Sequence, residues 1–514
     1  MKSIRLFFFI AFTLICTKLQ ANNIAISNIS SVTGAGYVQL QFDLSWDNSW
    51  YNNINHDAAW VFFKFKDNDG TWRHLNLTGA NTSITAGYTI TIPPDLTGAF
   101  IYRSANGSGT VTLTGVRLGV NNLPGNFDVK GFALEMVQLP VSDTYYVGDG
   151  EGGTYYSIGP GSTPYQVNTN TLTLGATGTL LNDNIQNGTL ATNFPIGYNT
   201  LGYFYSLYMM KHEISQGAYR DFLNTLTYTQ QATRTVNAPN SIAGTAALFN
   251  SNRNSIQVMT PGVSSSTPAV YGCNLNGNGV FNEPADGEWI ACNYINYMDV
   301  AAFLDWSALR PMTELEFEKS CRGPVYPVMY ETAAGTAAYA TYSYTISNSG
   351  TANEAVSSYA GSVLNANITY ITTSPGGNSP TRVGMHATPY ATRISAGAGY
   401  YGCLDLSGNV EEVTVTTCNN AGRSFTGVSG DGNLTASGDA NENYWPGING
   451  NTTVTNANTI FSGTTGVTGA AGIIGRGGAC NYSGLNLNKV SYRVNPIGTS
   501  SRLTSSGGRG VKSF

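Results

Sequence analysis

The chain has 514 residues, which is enough for two or more domains with cores of their own. Only 11% of the residues are Asp, Glu, Lys or Arg, against about 25% in an average soluble protein, and the formal net charge is −5. Because there is also no run of Lys or Arg, this composition argues against nucleic acid or an anionic membrane surface as a partner.

The first residues have the pattern of a secretory signal peptide. Lys2 and Arg5 precede an apolar stretch from Leu6 to Cys16, and Leu19-Gln20-Ala21 fits a cleavage site. The sequence therefore predicts a signal peptide over residues 1–21 and a secreted, extracellular or cell-envelope location. No later segment has the roughly 18 consecutive apolar residues of a membrane-spanning helix, so we expect no transmembrane segment.

Residues 22–125 are predicted to form a small antiparallel β-domain, of the sandwich type. Apolar and polar residues alternate in several short runs, as they do in half-buried strands. The runs are Val38–Leu44, Val61–Lys66, Tyr88–Ile92 and Val111–Val120. Two interpretations are open for the tryptophans of this region: a surface that stacks on sugars, or packing in the core and against another domain. They are Trp46, Trp50, Trp60 and Trp72.

Leu123–Lys130, which contains Pro124-Gly125, is a predicted hinge, and beyond it short helices are expected within long loops rich in Gly, Asn and Thr. Ser215 is the predicted N-cap of a helix whose apolar stripe has helical spacing. The stripe consists of Tyr219, Phe222, Leu223 and Leu226. A second helix is predicted from about Met298 to Trp306. Thr313 and Glu316 have the spacing of a capping box that begins a third helix, and Gly323 is placed to end it.

Several blocks of this region resemble, in the same order, those of the formylglycine-generating-enzyme family, the sulfatase-modifying factors. The blocks are Glu135-Met136-Val137 with Tyr146-Val147-Gly148, then Lys211–Asn224, Met298–Ala302, Leu309–Glu318, Gly402–Glu412, and finally Arg476-Gly477-Gly478 with Gly507-Gly508-Arg509. The resemblance implies a loop-rich α+β domain of the C-type-lectin-like fold over residues 126–514. The small antiparallel β-sandwich-like domain over residues 22–125 would precede it.

The resemblance also implies a chemical test. Oxidases of the family activate oxygen on copper held by two cysteines that follow the R-G-G-S block, because soft thiolates select Cu(I). Counted from Arg476, those two positions are Tyr482 and Leu487 here, and Cys480 comes two residues too early. We therefore expect no bound copper and no catalytic residues, and we predict a pseudoenzyme, not an active oxidase. Six cysteines follow the signal peptide, and an oxidising compartment would allow them to pair.

A structural Ca²⁺ is a second feature that the resemblance implies. Its ligands would be the carboxylates of Asp405 and Glu412 and the main-chain carbonyls of Gly408 and Val410, which together form a hard oxygen set. The alternative is that both carboxylates accept hydrogen bonds from loop amides. In the calcium interpretation the ion braces a loop and takes no part in a reaction.

The segment after Ala479 is rich in Tyr, Asn and Ser, the residue types of adaptable binding surfaces. Its predicted ligand-binding residues are Asn481, Tyr482, Ser483, Asn486, Asn488 and Tyr492. An equally open interpretation is that these residue types are common throughout the chain.

Three functions then compete. The first is a secreted or cell-surface, non-catalytic binding or assembly protein with a protein or glycan ligand, including the special case of a hypervariable binder diversified by a retroelement. The second is a formylglycine-generating-type oxidoreductase that acts on a sulfatase cysteine. The third is a carbohydrate-binding protein that uses the N-terminal tryptophans.

Overall fold

A computed structural model gives the structure of most of the chain. It describes residues 23–34, 37–121, 128–141, 144–151, 163–168, 173–174, 188–189, 207–341, 343–359, 365–388, 391–417, 420–450, 466–483, 485–493 and 500–513. The predicted signal peptide, most of the predicted hinge and Cys418 lie outside these residues. In the part of the chain that the structure describes, no helix has both the length and the apolar character needed to cross a membrane.

The described residues are mostly sheet and loop with few helices, which agrees with the predicted loop-rich α+β class. The strands are β1 Ala25–Gly34, β2 Tyr37–Tyr51, β3 Asp57–Lys66, β4 Trp72–Leu75, β5 Tyr88–Thr91, β6 Ala99–Arg103, β7 Gly107–Val120, β8 Val129–Leu139, β9 Tyr145–Val147, β10 Tyr165–Val167, β11 Thr173–Leu174, β12 Gly188–Thr189, β13 Leu207–Met210, β14 Ile256–Thr260, β15 Val270–Cys273, β16 Arg310–Pro311, β17 Tyr344–Ser347, β18 Ala355–Tyr359, β19 Glu411–Val415, β20 Ile473–Arg476, β21 Ser506–Gly507 and β22 Gly510–Ser513. The helices are α1 Gln216–Leu223, α2 Tyr228–Arg234, α3 Tyr297–Trp306, α4 Glu314–Arg322 and α5 Asn420–Arg423.

An eight-stranded sheet is the frame on which both halves of the sequence are built. Its strand order is β16-β22-β13-β8-β3-β6-β5, and β4 pairs with β3. Strand β3 pairs antiparallel with β8 from Asp57 opposite Val137 to Phe65 opposite Val129. The two strands lie on opposite sides of the predicted boundary at residue 125, so the N-terminal segment and the rest of the chain share one sheet.

A three-stranded sheet, in the order β1-β2-β7, covers one face of this frame. Leu40, Phe42 and Leu44 of β2 are buried in one core with Val61 and Phe63 of β3. The alternation predicted for residues 38–44 is thus confirmed, since intervening residues of β2 are more exposed.

Strand β3 is buried from Asp57 to Lys64 without alternation. Its opposite face, which carries Trp60 and Phe62, packs into the second core with the helices. A strand covered on both faces has no reason to alternate in polarity.

The helices begin where the capping signals are. The Ser215 side chain accepts a hydrogen bond from the Ala218 amide at the start of α1. Thr313 and Glu316 form the predicted capping box of α4, and Gly323, with φ of 58°, ends that helix. All four residues of the apolar stripe predicted for α1 are buried. The helix predicted from about Met298 to Trp306 is α3, so all three predicted helices are confirmed, although α1 ends at Leu223 and Leu226 follows it.

Smaller sheets organise the long loops. They are the pairs β9-β10, β11-β12, β14-β15 and β17-β18, and the three-stranded β20-β19-β21. The last of these brings the end of the Gly402–Glu412 block beside Arg476, because Glu412 pairs with Arg476 and, in parallel, with Gly507. Segments of the last two sequence blocks therefore meet at one small sheet.

Candidate functional site

A buried ion network fixes the segment that follows Arg476. The Arg476 guanidinium lies 3.1 Å from Glu314 Oε2 and 2.5 Å from Glu318 Oε1, both on α4. Arg493 lies 2.8 Å from Glu314 Oε1. Burial alone would raise the pKa of Glu314, but Arg493 and Arg476 hold it below its ordinary value. Residues 477–483 and 485–493 are thus tied to α4 at both ends.

The two positions that the resemblance assigns to copper ligands hold a phenol and an aliphatic side chain. The Tyr482 hydroxyl donates a hydrogen bond of 3.1 Å to Glu411 Oε2. Burial raises the pKa of Glu411 to about 7, and the bond from Tyr482 opposes that shift. Leu487 lies in a 3₁₀ turn, Leu485–Asn488. Neither side chain offers a soft ligand.

Cys480, the nearest thiol in sequence, is a free and fully buried cysteine. Its amide donates to the Asn409 carbonyl at 2.8 Å. Burial raises the pKa of the Cys480 thiol to about 12, so the thiolate that binds a metal is not available at neutral pH. The other cysteines in the described segments, Cys273, Cys292, Cys321 and Cys403, are also free and buried, so none of the five is in a disulfide.

The predicted ligand-binding residues differ in exposure. Ser483 is exposed, Asn481, Tyr482 and Tyr492 are half-buried, and Asn488 is buried. The side chain of Asn486 lies outside the described residues. Burial, then Glu411 and Tyr492, raise the pKa of Tyr482, which places the two tyrosines near each other. The exposed part of this surface is therefore centred on residues 481–483.

The predicted calcium residues lie on one tightly bonded loop. Asp405 has φ of 58°, and its Oδ2 accepts a hydrogen bond from the Gly384 amide. Glu412 Oε1 accepts from Arg509 Nε at 2.7 Å, whereas its Oε2 is buried without a hydrogen-bond partner among the described residues. The Gly408 amide donates to the Gly477 carbonyl at 2.8 Å.

Sequence reasoning missed a third carboxylate at this loop. The Val410 amide donates to Glu213 Oε1 at 2.9 Å, and Asn409 Nδ2 donates to Glu213 Oε2 at 2.6 Å. Burial, followed by repulsion from Asp405 and Glu412, raises the pKa of Glu213 well above its ordinary value, and Arg509 opposes the shift. The only signal was the position of Glu213 within the Lys211–Asn224 block.

Residues 199–444 match the family model of the sulfatase-modifying factor enzyme 1-like domain. The chain carries a domain of this family. No curated protein matches the chain. The match contains the blocks Lys211–Asn224, Met298–Ala302, Leu309–Glu318 and Gly402–Glu412, and it ends before Arg476. Strands β8 and β22, outside the match, complete the sheet on both sides of β13.

The sulfatase-modifying-factor domain also contains an acidic cluster that sequence reasoning missed. One carboxylate oxygen each of Asp305, Asp431 and Glu442 lies within 4.8 Å of the others, a group of a kind that could hold a metal ion. The Lys64 ammonium donates to the Trp306 carbonyl at 2.6 Å and is attracted by Asp305 and Asp431. Lys64 comes from β3, so a cation from the N-terminal segment already faces the cluster.

The N-terminal tryptophans do not form one exposed surface. Trp46 and Trp60 are fully buried. Trp60 Nε1 donates across to the Ser307 carbonyl of the sulfatase-modifying-factor domain at 2.9 Å. The half-buried Trp50 and Trp72 lie under lysines, with the Lys211 ammonium 4.9 Å from the Trp50 ring centre. Core packing and contact between chain segments account for these residues better than sugar stacking.

Proposed function

We propose that this protein is an exported, non-catalytic binding or assembly protein that uses a sulfatase-modifying-factor domain as its scaffold. The observation that carries the proposal is the hydrogen bond between Tyr482 and Glu411, at the position where the resemblance places the first copper thiolate. Tyr482 and Leu487 cannot replace two thiolates as ligands of Cu(I).

The chemistry of the nearby thiol supports the same conclusion. Copper-dependent oxygen activation needs an ionised sulfur that the substrate can approach. Cys480 is enclosed, and its pKa of about 12 leaves it protonated at neutral pH. Cys273 and Cys292 are also completely buried, and burial raises the pKa of both.

Residues 481–483 are the proposed centre of the binding surface. They project an exposed hydroxyl at Ser483 beside half-buried tyrosine and asparagine side chains. The Arg476 network holds this segment at its base, so a bound partner would not need to order it. A protein or glycan ligand at the cell surface fits this mixture of amphipathic and hydrogen-bonding groups.

A binding screen tests this part of the proposal. The chain without residues 1–21 would be applied to glycan and surface-protein arrays, with and without a chelator. We expect a ligand that is lost in Ser483→Arg and retained in Ser264→Arg, which places the same side chain on a distant exposed turn. A ligand that binds both variants equally would contradict the assignment of the surface.

A separate assay tests the loss of catalysis. The purified chain would be loaded with Cu(I) and incubated in air with a cysteine-containing sulfatase peptide, and the peptide mass would be followed. We expect no conversion of the cysteine to formylglycine. Turnover that depends on copper would overturn the proposal and favour the oxidoreductase alternative.

We also propose that the Asp405–Glu412 loop binds Ca²⁺. The three buried carboxylates of Glu213, Asp405 and Glu412 lie close enough to repel one another; Arg509 pairs with Glu412, and Arg382 attracts Asp405. Together with the buried, unbonded Glu412 Oε2, this group of converging carboxylates fits a divalent cation held by hard oxygens. Asp405 and Glu412 would hold the ion, with the carbonyls of Gly408 and Val410, and it would brace the loop.

Calcium binding has a direct test in thermal unfolding. After chelator treatment, added Ca²⁺ should raise the melting temperature in a concentration-dependent manner. Glu412→Gln should abolish the rise, whereas Asp69→Asn, at an exposed turn, should preserve it. A melting temperature that Ca²⁺ leaves unchanged in the unsubstituted chain would remove the calcium proposal and leave the binding proposal intact.

A further inference from the structure

A cavity of about 290 Å³ lies between the eight-stranded sheet and helix α1. Strands β8 and β13 contribute Leu134, Glu135 and Met210 to one wall, and α1 contributes Ala218 and Arg220 to the other. Its volume is near the lower end of the range for small-molecule sites, about 300–1,000 Å³. None of the ligand or calcium residues predicted from the sequence lines it.

Three polar atoms of this cavity have unused hydrogen-bonding capacity. They are Glu135 Oε1 and the two ring nitrogens of His212. None of the three has a hydrogen-bond partner within the described segments, and the nearest carboxylate oxygen to His212 Nε2 among the ion pairs there, Glu135 Oε2, is 3.9 Å away. The two residues are only 6% and 7% exposed. A buried polar group without a partner costs about 1–3 kcal/mol, and native proteins rarely leave one unsatisfied. Such atoms in one cavity indicate a bound molecule that supplies their partners.

The two side chains are held in place before any ligand arrives. Glu135 Oε2 accepts a hydrogen bond of 2.8 Å from the Lys211 ammonium, which leaves Oε1 free. The His212 ring packs on the backbone of Gly384, where an added Cβ would lie 2.9 Å from Cε1. Because Gly384 also has φ of 67°, no other residue suits this position well. Groups fixed in this way bind a ligand with little loss of entropy.

The charge around the cavity favours a cation. The Arg220 guanidinium is shared by two carboxylates, those of Asp221 and Glu288, so this wall has a net negative charge. Lys211 is likewise shared by Glu135 and Asp57, at 2.8 and 3.4 Å. Burial would raise the pKa of Glu135, but Lys211 and His212 lower it to about 2, so this carboxylate is ionised.

The neutral His212 ring can accept one hydrogen bond from a ligand and donate another. Burial lowers the pKa of His212, which leaves a neutral ring with one acceptor nitrogen and one N–H donor. The half-buried Trp289 adds an aromatic wall, and aromatic faces attract cations. A ligand that complements all these groups is positively charged, brings donors to two acceptors, and has an acceptor of its own.

We propose that this cavity binds a small organic amine, a molecule with a protonated primary amino group and a neighbouring hydroxyl, up to the size of one amino sugar. The ammonium group donates to Glu135 Oε1 and to the acceptor nitrogen of His212. The hydroxyl accepts from the other ring nitrogen. A metal ion fits less well, because the group of three converging ligands found in the described residues is Asp305, Asp431 and Glu442, and none of them lines this cavity.

Isothermal titration of the chain without residues 1–21 tests the proposal with matched probes. Glucosamine is compared with glucose, and n-butylamine with 1-butanol, so that each cation has a neutral analogue. We expect at least one cation to bind 10-fold or more tightly than its analogue. Tighter binding of glucosamine than of n-butylamine supports the neighbouring hydroxyl, and equal or tighter binding of n-butylamine contradicts it. If neither cation binds more tightly than its neutral analogue, the proposal is overturned.

Variants locate the binding. Ala218→Leu fills the cavity from α1 without changing a charge, and it should weaken cation binding 10-fold or more. Ala232→Leu, on the exposed face of α2, is the control and should leave the affinity unchanged. Glu135→Gln should also weaken binding 10-fold or more. If loss of the partner of Lys211 prevents that variant from folding, Ala218→Leu decides the question. Unchanged affinity in Ala218→Leu would contradict the assignment.

Discussion

The substitution Lys319→Met should stabilise the protein at neutral pH, and this gain in the free energy of unfolding should decrease as the pH rises. Lys319 is on α4, is 3% exposed, and its ammonium lies 5.7 Å from the centre of the Tyr145 ring. Burial lowers the pKa of Lys319 from 10.5 to about 8, against the attraction of Glu316. A difference of about 2.5 pKa units corresponds to a cost of about 3 kcal/mol for keeping the ammonium buried.

The direction of the pH dependence follows from proton binding. Below pH 8 both the folded and the unfolded chain hold the proton on Lys319, so the folded state bears the whole cost. Between pH 8 and 10.5 the folded state loses the proton and the unfolded state keeps it, so stability rises with pH. Above 10.5 the cost is gone. Methionine is neutral at every pH, so its advantage is largest below pH 8.

Thermal unfolding of the two chains from pH 6 to 10.5 measures the effect. We expect Lys319→Met to melt at a higher temperature at pH 7. Its gain in free energy of unfolding should be somewhat less than about 3 kcal/mol, because the contact between the ammonium and the Tyr145 ring is lost. The difference should shrink towards pH 10.5. Lys66→Met, at an exposed position, should change stability by less than about 0.5 kcal/mol at any pH. A gain that is equal at pH 7 and 10 would refute this reasoning.

Three further outcomes follow from the structure. Cys480 should resist iodoacetamide at pH 8 in the folded chain and react in urea, as peptide mass spectrometry would show; rapid labelling of the folded chain would contradict its burial. Arg476→Leu should lower the free energy of unfolding by about 3–5 kcal/mol in urea titrations, because it leaves Glu314 and Glu318 short of a partner, and a loss under 1 kcal/mol would disprove the role of the network. Thr227→Ala should cost about 1 kcal/mol in the same titrations, and no cost would mean that this cap is not needed.

Local patterns predicted part of the regular structure, including the three longest helices. Alternation gave the strand that contains Val38–Leu44, and the spacing of Thr313 and Glu316 gave the start of α4. The same spacing exists at Thr227 and Gln230, which form a capping box for α2 that the sequence analysis overlooked. That helix has few apolar residues, so periodicity gave no second signal to draw attention to it.

Pairings between distant segments were beyond such reasoning. The ladder between β3 and β8 joins residues on opposite sides of a predicted hinge, and a window of neighbouring residues has no information about which strands pair. The site shows the same limit. Glu412 could be identified from its block, but Glu213 reaches the proposed calcium loop through Asn409 and Val410, which are 196 and 197 residues away in the chain.

Strand β22 has a consequence for the order of assembly. Residues Gly510–Ser513 lie between β13 and β16, whose sequences precede them by about 300 and 200 residues. A growing chain can pair β3 with β8 early, but β13 keeps an open edge until Gly510–Ser513 have been synthesised. Exposed sheet edges pair with strands of other molecules, so a chain truncated before residue 510 should be prone to aggregation. Closure of this part of the sheet therefore requires that Gly510–Ser513 pair with both β13 and β16.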